Sequence, residues 1–300
     1  MAPNLVRPWE SSRASCMAGY LNKPPPITLV PGSLPFIPCI SFLSGIMKCP
    51  MHNIKAIAFD LFNTLITVEP NGLDEAVARL VRSLKKSGFE LEYEPFKQAH
   101  RESAVRFIEE TRKDGMETHN RFWISDALKT LGYDVPPNDP RIASAVEAYF
   151  SAFLDLCHLI PGTGEMLQTL RDRYRLGLLS NFTHAPAAKN IIGHVGLNHS
   201  FHVVLISGDL GFRKPHPSVF RQLIDRLGVE KNRILYVGDD PETDIIGASR
   251  AGIQPVWTTY VRDNRIPAAP GIRIGSDGTP GLEVPRISTW EDLFSLLDRE

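Results

Sequence analysis

A run of apolar residues from Ile54 to Phe59 ends abruptly at Asp60, and this arrangement returns twice later in the chain. The apolar run 176–179 is followed by Ser180, and the run 234–237 is followed by Gly238 and Asp239. A short apolar run that ends in a polar turn is typical of a buried strand. Ligands bind beyond the carboxyl ends of the strands in an open parallel sheet, so these polar side chains are predicted to converge on one crevice.

The segments between and after these strands predict a Rossmann-like, doubly wound α/β core. Two further strands are predicted over 203–206 and 255–261, with helices over 217–227 and 245–251. Strands that alternate with helices indicate a parallel sheet covered by helices on both faces. The Pro- and Gly-rich stretch 262–285 is predicted to be a long loop, and a short helix is expected over 289–297.

About ninety residues after the first strand carry only helical patterns. Four helices are predicted there, over 73–87, 94–115, 119–131 and 139–157. We therefore expect an inserted helical cap over 69–158, and a core formed by 51–68 together with 159–300.

The first fifty residues contain many prolines and show neither helical nor strand periodicity, so they are expected to form an irregular extension. Met47 and Met51 immediately precede the first strand. Either is a candidate start of translation, which would leave residues 1–50 largely untranslated. The apolar stretch 27–47 is interrupted by prolines and is not expected to cross a membrane.

Charge and cysteine content exclude several classes of protein. The formal net charge is −1, and the sequence has no long basic tract, so neither nucleic acid nor an anionic membrane is an expected partner. None of the four cysteines forms a CxxC pair, and only Cys157 lies in the predicted folded part. This pattern favours a reducing compartment, and the cytoplasm is the predicted location. The expected partner is a small-molecule substrate, and the sequence carries no signal for the oligomeric state.

Four segments resemble the ordered motifs of the haloacid dehalogenase-like (HAD) superfamily, in the subgroup with a helical cap. They are FDLFNTL at 59–65, LLSN at 178–181, GFRKPHPSVF at 211–220 and VGDDPETDIIGASRAGI at 237–253. Each segment alone is a weak signal, but all four occur in the family's order beside the expected strand or helix. The resemblance implies a hydrolase that uses an aspartate nucleophile.

The same resemblance implies roles for individual residues. Asp60 would attack the substrate and form a covalent ester, and Lys214 would neutralise the nucleophile and the transferring group. Ser180 and Asn181, with Lys214, would bind phosphate oxygens. A magnesium ion would be held by the carboxylates of Asp60 and Asp239 and by the backbone carbonyl of Phe62, with Asp244 bound either directly or through water.

Phe62 departs from the family pattern, because phosphatases of this kind carry a second aspartate two residues after the nucleophile. Phenylalanine cannot transfer a proton, and loss of a general acid–base typically costs about 10²–10⁴ in rate. Three hypotheses follow: a magnesium-dependent phosphatase acting on a small phosphorylated metabolite, a 2-haloacid dehalogenase-type hydrolase, or a non-catalytic binding protein. Halide leaves without a proton, which suits Phe62, whereas Gly238, Asp239 and Asp244 favour the phosphatase because dehalogenases need no magnesium.

Other polar side chains near the motifs have ordinary structural explanations. His184 and His216 are expected to be structural or solvated. Four cap residues are candidates for reading the substrate, but each is expected by default to be solvated or to serve in packing: Arg106, His119, Arg121 and Trp123.

Overall fold

A computed structural model of the chain describes residues 53–268 and 278–298. The predicted extension 1–50 lies outside these residues. The described part contains eight strands: β1 (Ala56–Phe59), β2 (Ile66–Val68), β3 (Cys157–Leu159), β4 (Arg175–Ser180), β5 (Val203–Ile206), β6 (Ile234–Gly238), β7 (Gln254–Thr258) and β8 (Arg286–Ile287). Six of them form one sheet in the order β5-β4-β1-β6-β7-β8, and all its pairings are parallel.

The α-helices, in chain order, are α1 (Gly72–Lys86), α2 (Tyr93–Asp114), α3 (Asn120–Thr130), α4 (Pro140–Leu156), α5 (Thr163–Arg171), α6 (Ala185–His194), α7 (Ser207–Leu210), α8 (Pro217–Leu227), α9 (Gly247–Ala251), α10 (Tyr260–Asp263) and α11 (Trp290–Leu297). A 3-10 helix (Lys231–Arg233) precedes β6, and a π-helix (Pro241–Ile246) leads into α9. Successive residues of β1 belong to different buried clusters. Ile57 and Phe59 lie in one cluster, and Ala56 and Ala58 lie in the other. Because side chains alternate across a strand, both faces of the sheet are covered, which confirms the predicted doubly wound core.

Helices α1 to α4 lie between β2 and β3, where the sequence predicts the cap. The two short strands pair antiparallel, from Ile66 opposite Leu159 to Val68 opposite Cys157, so both chain crossings between core and helices lie side by side. Helix α1 buries residues at a helical spacing, including Ala76, Leu80 and Leu84. The exact division into core and cap at residues 68 and 159 remains a prediction.

Several predicted boundaries are wrong, and each error has a local cause. The strand expected over 255–261 ends at Thr258, because the chain turns into α10, where the Thr259 hydroxyl bonds the Asp263 carboxylate at 2.6 Å. The loop predicted over 262–285 begins inside α10. Strands β2, β3 and β8 were not predicted, since each has only two or three residues.

No helix in residues 53–268 or 278–298 has the length and apolar character needed to cross a membrane.

Candidate active site

The polar residues predicted at strand ends do meet at the carboxyl edge of the sheet. Asp60 follows β1, Ser180 is the last residue of β4, and Asp239 follows β6. Asp60 and Ser180 are buried, and Asp239 is half-buried. Adjacent parallel pairings of β1 with β4 and with β6 bring these three strand ends together.

Lys214 lies between two of the predicted site aspartates. Its Nζ is 2.6 Å from Asp60 Oδ1 and 2.6 Å from Asp244 Oδ1, and the side chain is only 2% exposed. Burial opposes the charge on Lys214, but the negative charges of Asp244 and Asp60 outweigh it and hold the pKa of Lys214 well above its ordinary value. The lysine is therefore a fixed positive charge beside Asp60.

Two neighbours fix the position of Lys214. The Asn181 side-chain amide donates to the Lys214 carbonyl at 3.0 Å, and its oxygen accepts from the Lys214 backbone N–H at 2.7 Å. The Lys214 ammonium donates to the Tyr236 hydroxyl at 3.0 Å, and that hydroxyl donates to the Leu179 carbonyl at 3.0 Å. The Asn181 side chain thus orients the lysine loop, which is a use that the sequence did not predict.

Asp60, Asp239 and Asp244 form a group of carboxylates whose nearest oxygens all lie within 4.8 Å of one another. Asp244 is held by Lys214 and by the Asp240 backbone N–H, which donates to its Oδ2 at 3.0 Å. Burial, together with the negative charges of Asp60 and Asp240, raises the pKa of Asp244 to about 6 despite Lys214. Three carboxylates around one ammonium leave the group with excess negative charge.

The donor set of this group suits a hard divalent cation such as Mg²⁺, which takes oxygen ligands and favours carboxylates. The backbone beside it is also adapted to Asp244. A Cβ on Gly238 would lie 2.4 Å from Asp244 Cγ, so the aspartate packs directly against a glycine backbone. These three carboxylates therefore fit the metal that the family resemblance implies, and the Phe62 carbonyl as a further ligand stays a prediction.

Phe62 contributes an apolar wall rather than a proton donor. Its ring stacks on Phe182 with centroids 5.2 Å apart and planes 7° apart, and only 6% of the residue is exposed. Phe150 of the cap packs against the same Phe182 at 5.1 Å. The position two residues after Asp60 is thus dry and part of an aromatic layer between cap and core.

The loop between α2 and α3 holds the cap against the lysine loop. The Glu117 N–H donates to the Gly211 carbonyl at 2.9 Å, and the Arg213 N–H donates to the Gly115 carbonyl at 2.9 Å. The nearly buried Glu117 carboxylate accepts from the Ser207 hydroxyl and faces Arg213 at 3.4 Å. Sequence reasoning missed Glu117, because a single glutamate in a polar loop carries no recognisable signal.

A second cap–core contact runs through two histidines. The Arg121 N–H donates to His119 Nδ1 at 3.1 Å, His119 Nε2 is 2.9 Å from His184 Nδ1, and His184 Nε2 is 2.9 Å from Glu147 Oε1. Because His119 Nδ1 accepts, the neutral ring carries its proton on Nε2 and donates to His184, which in turn donates to Glu147. Burial, and then the neighbouring His184, lower the pKa of His119 to about 4. His184 thus links the core to His119 and Glu147 of the cap helices through two hydrogen bonds.

Other predicted candidates also have structural roles. His216 accepts from the Ser218 backbone N–H at 3.3 Å and caps α8. Arg106 pairs with Asp126 within the cap. The sequence does not predict Tyr236 as a site residue, because a tyrosine in an apolar strand is expected to serve in core packing. Only the position of its hydroxyl in the structure shows the hydrogen bond with Lys214.

The fold and the carboxylate–lysine arrangement define a hydrolase of the HAD class, and comparison with known proteins agrees. The family described as haloacid dehalogenase-like hydrolase matches residues 54–252. The chain belongs to the haloacid dehalogenase-like hydrolase family.

Individual relatives carry two kinds of names. The chain is 30% identical to a glyceraldehyde 3-phosphate phosphatase of Methanopyrus kandleri, over 68% of this chain and 83% of that protein. It is 31% identical to a phosphoglycolate phosphatase of Rhodospirillum rubrum, over 69% of this chain and 80% of that protein. Among solved structures, a 2-haloacid dehalogenase from Pseudomonas syringae pv. Tomato DC3000 is similar with a TM-score of 0.58 and 25% identity, over 82% of this chain and 99% of that one.

Proposed function

We propose that this protein is a magnesium-dependent phosphatase that acts on a small phosphorylated metabolite, with Asp60 as its nucleophile. The observation that carries the proposal is the placement of Lys214 between Asp60 and Asp244, beside Asp239. Relatives named as phosphatases of glyceraldehyde 3-phosphate and phosphoglycolate support a small phosphate ester.

In the proposed reaction, an Asp60 carboxylate oxygen attacks phosphorus, and the bond from phosphorus to the leaving oxygen breaks. Lys214 neutralises Asp60 and the oxygens of the transferring group, and Ser180 at the end of β4 is placed to bind one of those oxygens. Water then attacks the phosphorus of the aspartyl ester, which releases inorganic phosphate and restores the carboxylate. The leaving alkoxide takes its proton from water, because Phe62 has none to give.

The Mg²⁺ ion is part of the proposal. Asp60, Asp239 and Asp244 would hold it, with the backbone carbonyl of Phe62 completing the set. The bound ion would supply positive charge to the transferring phosphoryl group. Excess negative charge in the carboxylate group and its all-oxygen composition support this assignment.

A dehalogenase-type activity is the second candidate, and Phe62 favours it. The aromatic layer of Phe62 and Phe182 provides no acid, and a halide leaving group requires none. The similarity to a solved 2-haloacid dehalogenase is in line with this candidate. The retained pair Asp239 and Asp244 favours the phosphatase.

The test is a screen of phosphate monoesters and 2-haloacids, with Mg²⁺ and with a chelator, on the full chain and on Asp60→Asn. We expect Mg²⁺-dependent release of phosphate that Asp60→Asn abolishes without lowering the melting temperature by more than a few degrees. Activity retained by Asp60→Asn would overturn the assignment of the nucleophile. Halide release at the same rate with and without the chelator would establish the dehalogenase. Inactivity on every compound would favour a non-catalytic binding protein.

A cytoplasmic location and the absence of nucleic-acid partners remain predictions from composition.

A further inference from the structure

The peptide unit that joins Asp239 to Asp240 is held at both of its polar atoms. Its carbonyl, which belongs to Asp239, accepts a hydrogen bond from the Trp257 indole N–H at 3.0 Å. Its N–H, which belongs to Asp240, donates to Asp244 Oδ2 at 3.0 Å. The C=O and N–H of a planar trans peptide point in opposite directions, so two such bonds fix the rotation of the peptide plane. This plane therefore connects one carboxylate residue of the candidate metal site to another.

Trp257 reaches this peptide from the neighbouring strand. In β7 it lies opposite Gly238 of β6, and its backbone N–H donates to the Pro285 carbonyl at 2.9 Å. Its ring is nearly buried, and two guanidinium groups lie over it, those of Arg262 at 5.2 Å and Arg286 at 5.9 Å from the centroid. The indole thus has a fixed backbone and a packed ring, with its donor directed at the loop that follows β6.

Ring packing alone does not require the indole nitrogen. Cations also bind over the face of a phenylalanine ring, so the contacts with the two arginines would survive without an N–H. What phenylalanine lacks is the donor that meets the Asp239 carbonyl just beyond the end of β6. The hydrogen bond is therefore the contribution of Trp257 that a different aromatic residue would not make.

We propose that Trp257 is a positioning residue for the metal: its N–H fixes the peptide plane so that Asp239 and Asp244 are already placed to bind one Mg²⁺ ion. This inference rests on the Mg²⁺ site of the proposed function. Outer groups that hold metal ligands in place by hydrogen bonds typically contribute about 10- to 100-fold to metal affinity. Without the N–H, binding of the ion would have to order this peptide as well, which lowers the affinity.

The test is a calorimetric titration of Mg²⁺ into the full chain without substrate, for the unmodified protein and for Trp257→Phe. The Kd for Mg²⁺ should rise by about 10-fold in the variant, the lower end of the range, because only one neutral hydrogen bond is removed. Trp290→Phe is the matched control. Trp290 has the same 7% exposure, and its indole N–H bonds the Thr163 hydroxyl at 3.2 Å instead of the metal loop, so its Kd should equal that of the unmodified protein.

A second substitution separates the donor from the shape of the ring. Benzothienylalanine incorporated at position 257 replaces the indole N–H by sulfur and keeps nearly the same side-chain volume. It should raise the Kd for Mg²⁺ as Trp257→Phe does, while the melting temperature of the metal-free protein stays within a few degrees of the unmodified value. Lost affinity is then distinguished from lost packing.

The indole N–H signals in NMR spectra of the unmodified protein give an independent measurement. The chain has four tryptophans, and the signal that disappears in each Trp→Phe variant identifies its residue. Addition of Mg²⁺ should shift the signal of Trp257 more than that of Trp290, because the acceptor of Trp257 is the backbone of a proposed metal ligand.

The outcomes separate this inference from the proposed function. An unchanged Kd in both forms altered at position 257, or an equal rise in Trp290→Phe, would overturn the role of Trp257 and retain the Mg²⁺ site. Absence of Mg²⁺ binding by the unmodified protein would refute the metal assignment and this inference together. Mg²⁺ binding that depends on the Trp257 N–H, in a protein that hydrolyses no phosphate ester, would refute the phosphatase and retain this inference.

Discussion

Replacing Phe62 with aspartate tests how much activity the site loses because it lacks a proton donor. The contacts of Phe62 determine how much this replacement lowers the free energy of unfolding. Phe62 is 6% exposed and stacks on Phe182 at 5.2 Å. Loss of such a stack costs about 0.5–1.5 kcal/mol, and loss of the buried ring volume and burial of a polar group each add about 1–3 kcal/mol. We expect Phe62→Asp to lower the free energy of unfolding by about 4 kcal/mol, which lowers the melting temperature by about 10 °C.

The catalytic effect should have the opposite sign. Burial among aromatic rings would raise the pKa of the introduced carboxyl group, which suits a general acid near neutral pH. The rate of hydrolysis of alkyl phosphates should therefore rise by up to ~10²-fold, which is the lower end of the range for general acid–base catalysis. Aryl phosphates should gain less rate in the first step, because their aryloxide leaving groups depart without a proton.

The assay measures kcat on ethyl and 4-nitrophenyl phosphate beside a thermal melt, for Phe62→Asp and for Phe62→Leu. The leucine control removes the stack without adding a carboxyl group, so it should lose about 1 kcal/mol of stability and gain no activity. Equal kcat changes on both esters, or a gain shared by Phe62→Leu, would refute the role we give to proton transfer. Loss of a measured dehalogenase activity without any phosphatase gain would favour the second candidate.

Three further predictions concern stability. The pKa values of His100 and His119 are about 4 when folded against 6.5 when unfolded, so the unfolded chain binds more protons in this range. The contribution of these two histidines to the free energy of unfolding should fall as the pH falls from about 6.5 to about 4, whereas Asp244, whose pKa is raised to about 6, contributes in the opposite sense. His100→Phe should therefore lose less stability over this range than the unmodified chain in denaturant titrations. Mg²⁺ should raise the melting temperature, and Asp239→Ala should remove most of the shift; coincident melts with and without chelator would contradict the metal assignment. Tyr236→Phe should cost about 1–2 kcal/mol, because it leaves the Leu179 carbonyl without its buried donor, and an unchanged urea midpoint would show that water replaces the hydroxyl.

The sequence predicted the parts of the site that strand ends determine. An apolar run precedes each of the residues Asp60, Ser180 and Asp239. Because β1 pairs in parallel with β4 and with β6, the carboxyl ends of the three strands lie at the same edge of the sheet, and these side chains lie together there. Lys214 required the family resemblance, because nothing in its local pattern places a loop lysine against a strand-end aspartate. The roles assigned to these residues, and the ligands assigned to Mg²⁺, remain predictions.

What the sequence could not supply depends on packing between distant segments. His100 belongs to a helical stripe, and only the three-dimensional arrangement shows that its Nε2 lacks a partner. Between the end of β2 at Val68 and the start of β3 at Cys157 lie 88 residues, and each strand is too short to show a period-two alternation of apolar residues. Tyr236 and Glu117 likewise acquire their roles from contacts across the chain.

The close packing of Asp244 on Gly238 has a consequence for how such a chain can change over evolutionary time. Asp244 cannot withdraw, because Lys214 and the Asp240 N–H hold both of its oxygens, and a Cβ at position 238 would lie 2.4 Å from its Cγ. A mutation of the glycine is therefore tolerated only after the aspartate has been lost. Descendants that lose Asp244 can then replace Gly238 by another residue. A side chain at position 238 would afterwards clash with an aspartate at position 244, so the loss of Asp244 is difficult for selection to reverse.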